Sequence, residues 1–465
     1  MQTSLPGQDA ECVRKSFLSG AYMNLLTDSV KKIYSKYLMF SIGSAIIAAI
    51  YSTVDAIVVG QYEGANGSAA LSCIMPMWNM FMSISNLIGI GGSILMSTSR
   101  GGGDEKRGNE FFTSCFTFSC FASILFVFLF AFFRDDFLRL CGADEKILPL
   151  AMAYTKWLTI AVPFFLIGNV FAAFVRNDNA PQLVTVAVIT GGLINIPGDI
   201  FCVFGLKWGI GGAGFATFIS QVIACIILST HFFNKSRKIK FLKISLRDFI
   251  LRTKLSLKTG FAPFIVDFSF GITVILFNNQ IMKYSGNTEL AVYGTVVNVA
   301  IFFQSIFYGV GQALQPPVSE NNGAHNFGRV RSFLNLSLVT AIILGILFTL
   351  VAELLPSQIL RIYMKVSPEV MAVGPTILRK YSISFLFMGI NVVSSYYFQA
   401  ILKTVSSLTV SLLRGCVLCV LFILLLPAIG GINFLWYAMP LAEFFTFVVT
   451  IILIKKNDMG IKEKK

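Results

Sequence analysis

The chain of 465 residues is long enough for about three soluble domains, but 55% of it is apolar and only 13% charged, where a soluble protein carries about 25% charge. With a mean hydropathy of +0.74, so few charges do not cover a water-facing surface, which excludes a soluble globular protein and points to an integral membrane one. The net charge of +14 sits in short loops instead of a basic domain, so nucleic acid is not expected as a partner.

The apolar runs are about 20 residues long, the length of spanning helices, not the roughly 10-residue alternating segments of a barrel. Residues 1–36 are mostly polar and mixed in charge, without the charged start, apolar core and cleavage site of a signal peptide. Twelve apolar segments follow, near 37–61, 69–99, 111–133, 150–174, 182–204, 212–233, 259–284, 289–315, 333–355, 376–402, 404–427 and 431–454. The second and eighth are long and carry glycines, so parts of them are expected to unwind or to extend past the bilayer.

An even number of crossings puts both termini on one side. That side holds about 26 Lys or Arg, the other roughly seven to nine, so both termini are expected in the cytoplasm. The stretch 234–258, "NKSRKIKFLKISLRDFILRTKLSLK", is the most basic and separates six helices from six. It reads as a cytoplasmic linker, and its apolar spacing would suit a short helix on the membrane face. The expected organisation is therefore an N-terminal segment 1–36, a first lobe 37–233, a linker 234–258, a second lobe 259–454 and a cytoplasmic tail 455–465.

The two halves resemble each other. "GIGGSILMSTSRGGGDEKRG" (89–108) aligns with "GVGQALQPPVSENNGAHNFG" (309–328), "QYEG" (61–64) with "KYSG" (283–286), and Asn169 with Asn391. The offsets stay within two residues of one another, and both halves have the same orientation. A parallel repeat about an axis along the membrane normal follows, as in transporters that rock two bundles around a central cavity.

Ionisable groups inside spans are expensive and mark function. Asp55 lies in helix 1, Asp199 in helix 5, Asp267 in helix 7 and Glu443 in helix 12. Lys156, Arg379, Lys380 and Arg414 lie near enough to span ends to snorkel. Counting from the outer helix ends, Asp55, Asp199 and Thr217 fall at one depth, about 8–9 Å in at 1.5 Å per residue. Asn195 shares a helix face with Asp199 at i, i+4. Pro197 leaves the Leu193 carbonyl without its helical donor and free to act as a ligand. Two carboxylates, an amide, a hydroxyl and a carbonyl are oxygen chemistry suited to Na⁺ or one shared proton, and the two carboxylates resist ionising together. The second half has no acids where Asp55 and Asp199 sit, which places ion coupling in the first half. Asp267 and Glu443 would attract a cationic substrate in the central cavity, or pair with Arg414 or a backbone donor. The cysteines lie mostly within apolar runs, Cys416 and Cys419 included, and His231 and His325 have no partner at metal-site spacing, so neither a transition-metal site nor a catalytic residue is expected.

These residues resemble the multidrug and toxic compound extrusion (MATE) family over roughly 35–455. The motifs are "VDAIVVG", "GIGGSILMS…GGGDEKRGN", "NIPGD…GLKWGIGGAGFATFISQ", "YGTVVN", "GVGQALQPPVSENNGA" and "LLRG…LP". "QPPVSENNGA" and the acid at Asp267 resemble the bacterial branch of DNA-damage-inducible and MepA-like transporters. The resemblance implies an all-α integral membrane fold: twelve transmembrane helices in two pseudo-symmetric six-helix lobes around a V-shaped cavity. It implies a monomer in the bacterial plasma membrane that exports small, often cationic, drugs or metabolites in exchange for H⁺ or Na⁺, with no other cofactor. It also implies that Asp55, Asn195, Asp199 and Thr217, with Tyr51 one turn before Asp55, bind the coupling cation. In one departure, Phe40 stands where members often carry a proline, fifteen residues before the acid. Two other readings are a lipid-linked precursor flippase of the same superfamily, which would favour a more cationic cavity, and a membrane-embedded acyltransferase. ATP is not expected as energy source, since the chain has no Walker-type G-x-x-x-x-G-K-[ST].

Overall fold

The computed structural model describes residues 23–234, 237–363 and 367–462. Among these residues all regular structure is helical, as hydrocarbon requires of a chain that must satisfy its own backbone donors and acceptors. In the first half α1 (Val30–Gly64), α2 (Ala69–Gly101), α3 (Glu105–Leu140), α4 (Leu148–Asn177), α5 (Pro181–Gly205) and α6 (Ile210–Phe233) follow one another. In the second half come α7 (Leu246–Tyr284), α8 (Asn287–Gly323), α9 (Phe327–Leu354), the short α10 (Pro356–Tyr363), α11 (Pro368–Ser382) and α12 (Phe385–Ala400). The last two are α13 (Thr404–Gly430) and α14 (Ile432–Asn457). Ten of these are long and apolar enough to cross a membrane. With α7, and with α11 and α12 as one broken crossing, the elements make the twelve-helix bundle.

α1 and α2 are joined without a loop. The helical hydrogen bonding runs on through the expected gap, and only Gly64 leaves helical geometry, with φ +64°. That conformation is open to glycine at little cost. The expected separate helix in the linker is absent: after an extended stretch, Ser245 caps Asp248 N–H and residues 246–258 form the first turns of α7. The extended stretch is stitched to the first half by side chains, with Lys238 N donating to Asp178, Lys240 N to Asn109 and Leu242 N to Thr113. Asp178 also binds Arg100 and, at 2.7 Å, His231 Nε2.

One end of the bundle carries both described termini and is called here the basic end; the other is the distal end. The two halves join over their basic-end portions. Ile33, Tyr37, Ser41 and Ser44 of α1 are buried, while Ile50 and Ile57 further along are exposed. α8 is likewise buried over its last turns. The join rests on backbone contact across the halves. A Cβ at Gly91 of α2 would overlap the Ser256 carbonyl of α7, and one at Gly260 would overlap that of Leu87. Farther toward the basic end, Gly101 faces the Glu320 carbonyl and Gly323 the Thr98 carbonyl in the same way. Gly309 of α8 lies against Ile42 of α1, where a Cβ would come within 3.0 Å of the Ile42 Cα. The second helix of each half therefore packs its glycine run on the first helix of the other, as a parallel repeat dictates. Small residues permit this close approach and the dispersion contacts that follow.

Gly260→Ala should wedge this seam apart. Backbone amides in 87–101 and 309–323 are expected to exchange hydrogen roughly tenfold faster or more, with transport lost. Gly271→Ala on the same helix, where a Cβ meets nothing within 4 Å, should leave both unchanged. Unaltered exchange in Gly260→Ala would show that the seam does not depend on that contact.

Candidate functional site

Four helices of the first half bring their polar groups to one level near the distal end. α5 and α6 approach where Gly198 faces Ala216, and α4 and α6 where Gly214 faces the Tyr154 carbonyl. These contacts set Asn195, Asp199, Thr217 and Tyr154 around one buried point, with Asp55 of α1 at its edge. Tyr154 Oη lies 3.4 Å from Asp55 Oδ2 and 3.4 Å from Thr217 Oγ1. Asn195 Nδ2 lies 3.4 Å from Thr217 Oγ1 and 3.4 Å from Asp199 Oδ1. A chain of polar groups thus runs from one carboxylate to the other.

Two features set this cluster apart from an ordinary buried network. Every link is at 3.4 Å, longer than the usual 2.7–3.0 Å or so of a made bond. In addition Asp55 Oδ1, Asn195 Oδ1 and Asp199 Oδ2 are buried with no partner. Orphaned buried oxygens are costly and rare. Three of them, all hard oxygen donors, fit a small cation such as Na⁺ or a carboxyl proton. Asp199 is fully buried and Asp55 only partly.

The structure thus brings together Asp55, Asn195, Asp199 and Thr217. Tyr51 packs its ring on Gly192 of α5, where a Cβ would come within 3.2 Å. The Leu193 carbonyl, expected as a ligand, is not on this face. Leu193 is 67% exposed and Asn195 2%: two residues on, a helix has turned about 200°. Tyr154 was not anticipated. The depth count that found the others finds it too, because it lies six residues into α4, level with Asp55 and Asp199.

In the second half the buried charges among the described residues are paired. Arg414, expected to snorkel, is buried and donates to Glu443 Oε1 through Nη2 at 2.7 Å and Nε at 3.2 Å. Asn391 Nδ2 donates to Glu443 Oε2 at 2.7 Å and accepts from Thr450 through its own oxygen. Glu443 is fully buried and both its oxygens are engaged, so it is an ion-pair partner and not a cavity carboxylate. The physical reason is depth: Arg414 lies inside the bundle, where a guanidinium needs a counter-ion. Asp267 lies on α7, and its side chain falls outside the described residues. Lys156, Arg379 and Lys380 are near the surface, Arg379 donating to the Glu353 carbonyl and Lys380 to Asn433.

A duplicated twelve-helix bundle with an oxygen-lined cluster in one half defines a membrane protein of the two-lobed transporter class. Residues 41–201 and 263–425 each match the MatE family model, and the chain belongs to that family. It is 25% identical to the probable multidrug resistance protein YoeA of Bacillus subtilis, over 72% of this chain and 74% of that one. It is 22% identical to the multidrug export protein MepA of Staphylococcus saprophyticus, over 89% and 90%. Among solved structures, one described as an outward-facing multidrug resistance MATE family transporter superposes with a TM-score of 0.87 at 18% identity, over 94% of this chain and 98% of that one. A transporter of the same superfamily from Pyrococcus furiosus, described as having a binding pocket of reverse polarity, matches at the same TM-score and coverage with 18% identity.

The two clusters should respond oppositely to neutralisation. Glu443→Gln leaves a buried guanidinium without its counter-ion, a change that costs about 3–5 kcal/mol, and thermal melting in detergent should fall markedly. Asp199→Asn removes a carboxylate that no cation partners, and melting should hold or rise. A comparable fall in both variants would show that Asp199 is a structural group.

Proposed function

We propose that the chain is a secondary active exporter that moves drugs, organic cations or metabolites outward in exchange for H⁺ or Na⁺ taken up at the first-half cluster. The observation that carries this reading is the set of three unpartnered buried oxygens among Asp55, Asn195 and Asp199, beside a second half in which the buried charges of the described residues, Arg414 and Glu443, satisfy one another. Family membership and multidrug export by its relatives support it. The basic end then lies in the cytoplasm and the protein is a monomer of the bacterial plasma membrane. Joined at the basic end, the structure corresponds to the state in which the cluster is reached from outside.

In that state a proton or Na⁺ meets Asp55 and passes to Asp199 across Tyr154, Thr217 and Asn195. Occupancy draws α1 toward α5 and α6. α1 runs without a break through Phe40, whose carbonyl accepts from Thr185 at 2.8 Å, and its lower turns form part of the seam. Movement at Asp55 is therefore transmitted along a rigid helix to the place where the lobes meet. The ion favours one arrangement of the lobes to the extent that it binds that arrangement better.

Fluorescent-cation transport in proteoliposomes, with pH and Na⁺ gradients imposed separately, tests the reading. At least one gradient should drive transport without ATP. Asp55→Asn and Asp199→Asn should each abolish the driven component, since an amide neither releases a proton nor supplies charge. Thr217→Ala and Tyr154→Phe, which remove neutral groups, should reduce it by about tenfold or less. Full driven transport in Asp199→Asn would remove the cluster from the mechanism.

A further inference from the structure

A cavity of about 780 Å³ opens at the basic end, on the seam between the halves and away from the polar cluster of the first half. Arg107 reaches it from the start of α3, Lys403 from the α12–α13 turn and Lys456 from the end of α14, with His325 on the α8–α9 turn. No carboxylate among the described residues lies within ion-pair distance of Arg107, Lys403 or Lys456. The one acid lining the cavity, Asp104, accepts the Arg107 backbone N–H as the cap of α3. Thr98, also in the wall, has its hydroxyl buried with no partner.

An excess of cations on this side is expected of any membrane protein. It does not require that cations from three separate segments converge on one concavity with a stranded hydroxyl in its wall. Like charges gathered in that way repel, and an anion among them reverses the sign of the interaction. We propose that this cavity binds a phosphate-bearing anion, with Arg107, Lys403 and Lys456 as its charged donors and Thr98 as a neutral one. Phosphate suits a site that offers several charge-assisted donors from different directions. Arg107 belongs to the first half and Lys403 and Lys456 to the second, and the Gly323–Thr98 contact of the seam forms part of the cavity wall. The bound anion bridges the halves where they close. It stabilises the closed basic end and slows its reopening, a regulation independent of the coupling ion.

The phosphate can come from a lipid headgroup or from solution, and the test separates them. The intact protein is melted in nanodiscs of phosphatidylcholine alone, in nanodiscs containing phosphatidylglycerol, and in phosphatidylcholine nanodiscs with added inorganic pyrophosphate. At least one anion should raise the melting temperature and protect the amides of 98–104 and 320–326 from exchange. Protection in the phosphatidylglycerol arm alone identifies a lipid; protection in the pyrophosphate arm alone identifies a soluble ligand. Lys403→Gln/Lys456→Gln changes two exposed side chains and should weaken the effect on the order of tenfold. Lys31→Gln/Lys32→Gln, equal in charge and exposed elsewhere on the same end, should leave it intact. No stabilisation by either anion overturns the proposal, as does an equal loss in both double variants, which would mark diffuse surface attraction. Asp199→Asn should retain the anion effect, so the site stands or falls separately from ion coupling.

Discussion

A polar group taken out of water must find its partners within the protein, and in a bundle surrounded by hydrocarbon no other source is at hand. That constraint makes every regular element here a helix. It also gives meaning to the two places where charges enter the interior. Around Glu443 it is met completely: Arg414 and Asn391 leave neither carboxylate oxygen unbonded, and Thr450 donates to the Asn391 oxygen. Around Asp199 it is met only in part, with links at 3.4 Å and three oxygens bare. The contrast between one saturated network and, in the matching lobe, one unsaturated network is what supports the proposed ion site in the second.

α1 connects the Asp55 end of that cluster to the seam. Its exposed turns carry Asp55 and its buried turns carry Ser41 and Ile42, against which Gly309 packs. At its glycines the seam is backbone on backbone, with no side chain between to yield gradually. Such a contact is either made or broken, which suits a two-state movement of lobes better than a continuous one. The polar clasp at the basic end works in the same direction. Arg329 and Asn321 of the second half hold the carbonyl of Leu25, and Asn179 of the first half holds that of Met23. The segment leading into α1 is thereby tied to both lobes.

Much of this was legible in the sequence because hydrophobic length and the repeat are strong signals. Twelve runs of membrane length, duplicated glycines and two acids at equal depth lead directly to the lobes and to Asp55, Asn195, Asp199 and Thr217. What escaped depends on rotation and packing. Depth alone admits the Leu193 carbonyl, and the helical turn between residues 193 and 195 excludes it. Tyr154 escaped because a phenol in an apolar run reads as an ordinary aromatic, although its depth matches that of the acids. Arg414 looked free to reach the surface, and only the approach of α14 shows that Glu443 is its counter-ion. The join between α1 and α2 escaped because a glycine commonly ends a helix, whereas Gly64 lets one change direction.

The repeat register gives the two networks a common origin. The halves match the family at starts 222 residues apart, and at that spacing Asn391, Arg414 and Glu443 stand opposite Asn169, Gly192 and Gln221. In the first half the arginine's place is a glycine, and the space above it is filled by the Tyr51 ring. The acid's place is a neutral amide. The first half thus lacks both members of the fixed pair and carries its carboxylates elsewhere, at Asp55 and Asp199, with no arginine among them. One lobe fixes its positive charge covalently, as the Arg414 guanidinium between Glu443 and the helices around it. The other has unbonded oxygens and no guanidinium beside them, a contrast that supports the proposed uptake of an exchangeable ion there.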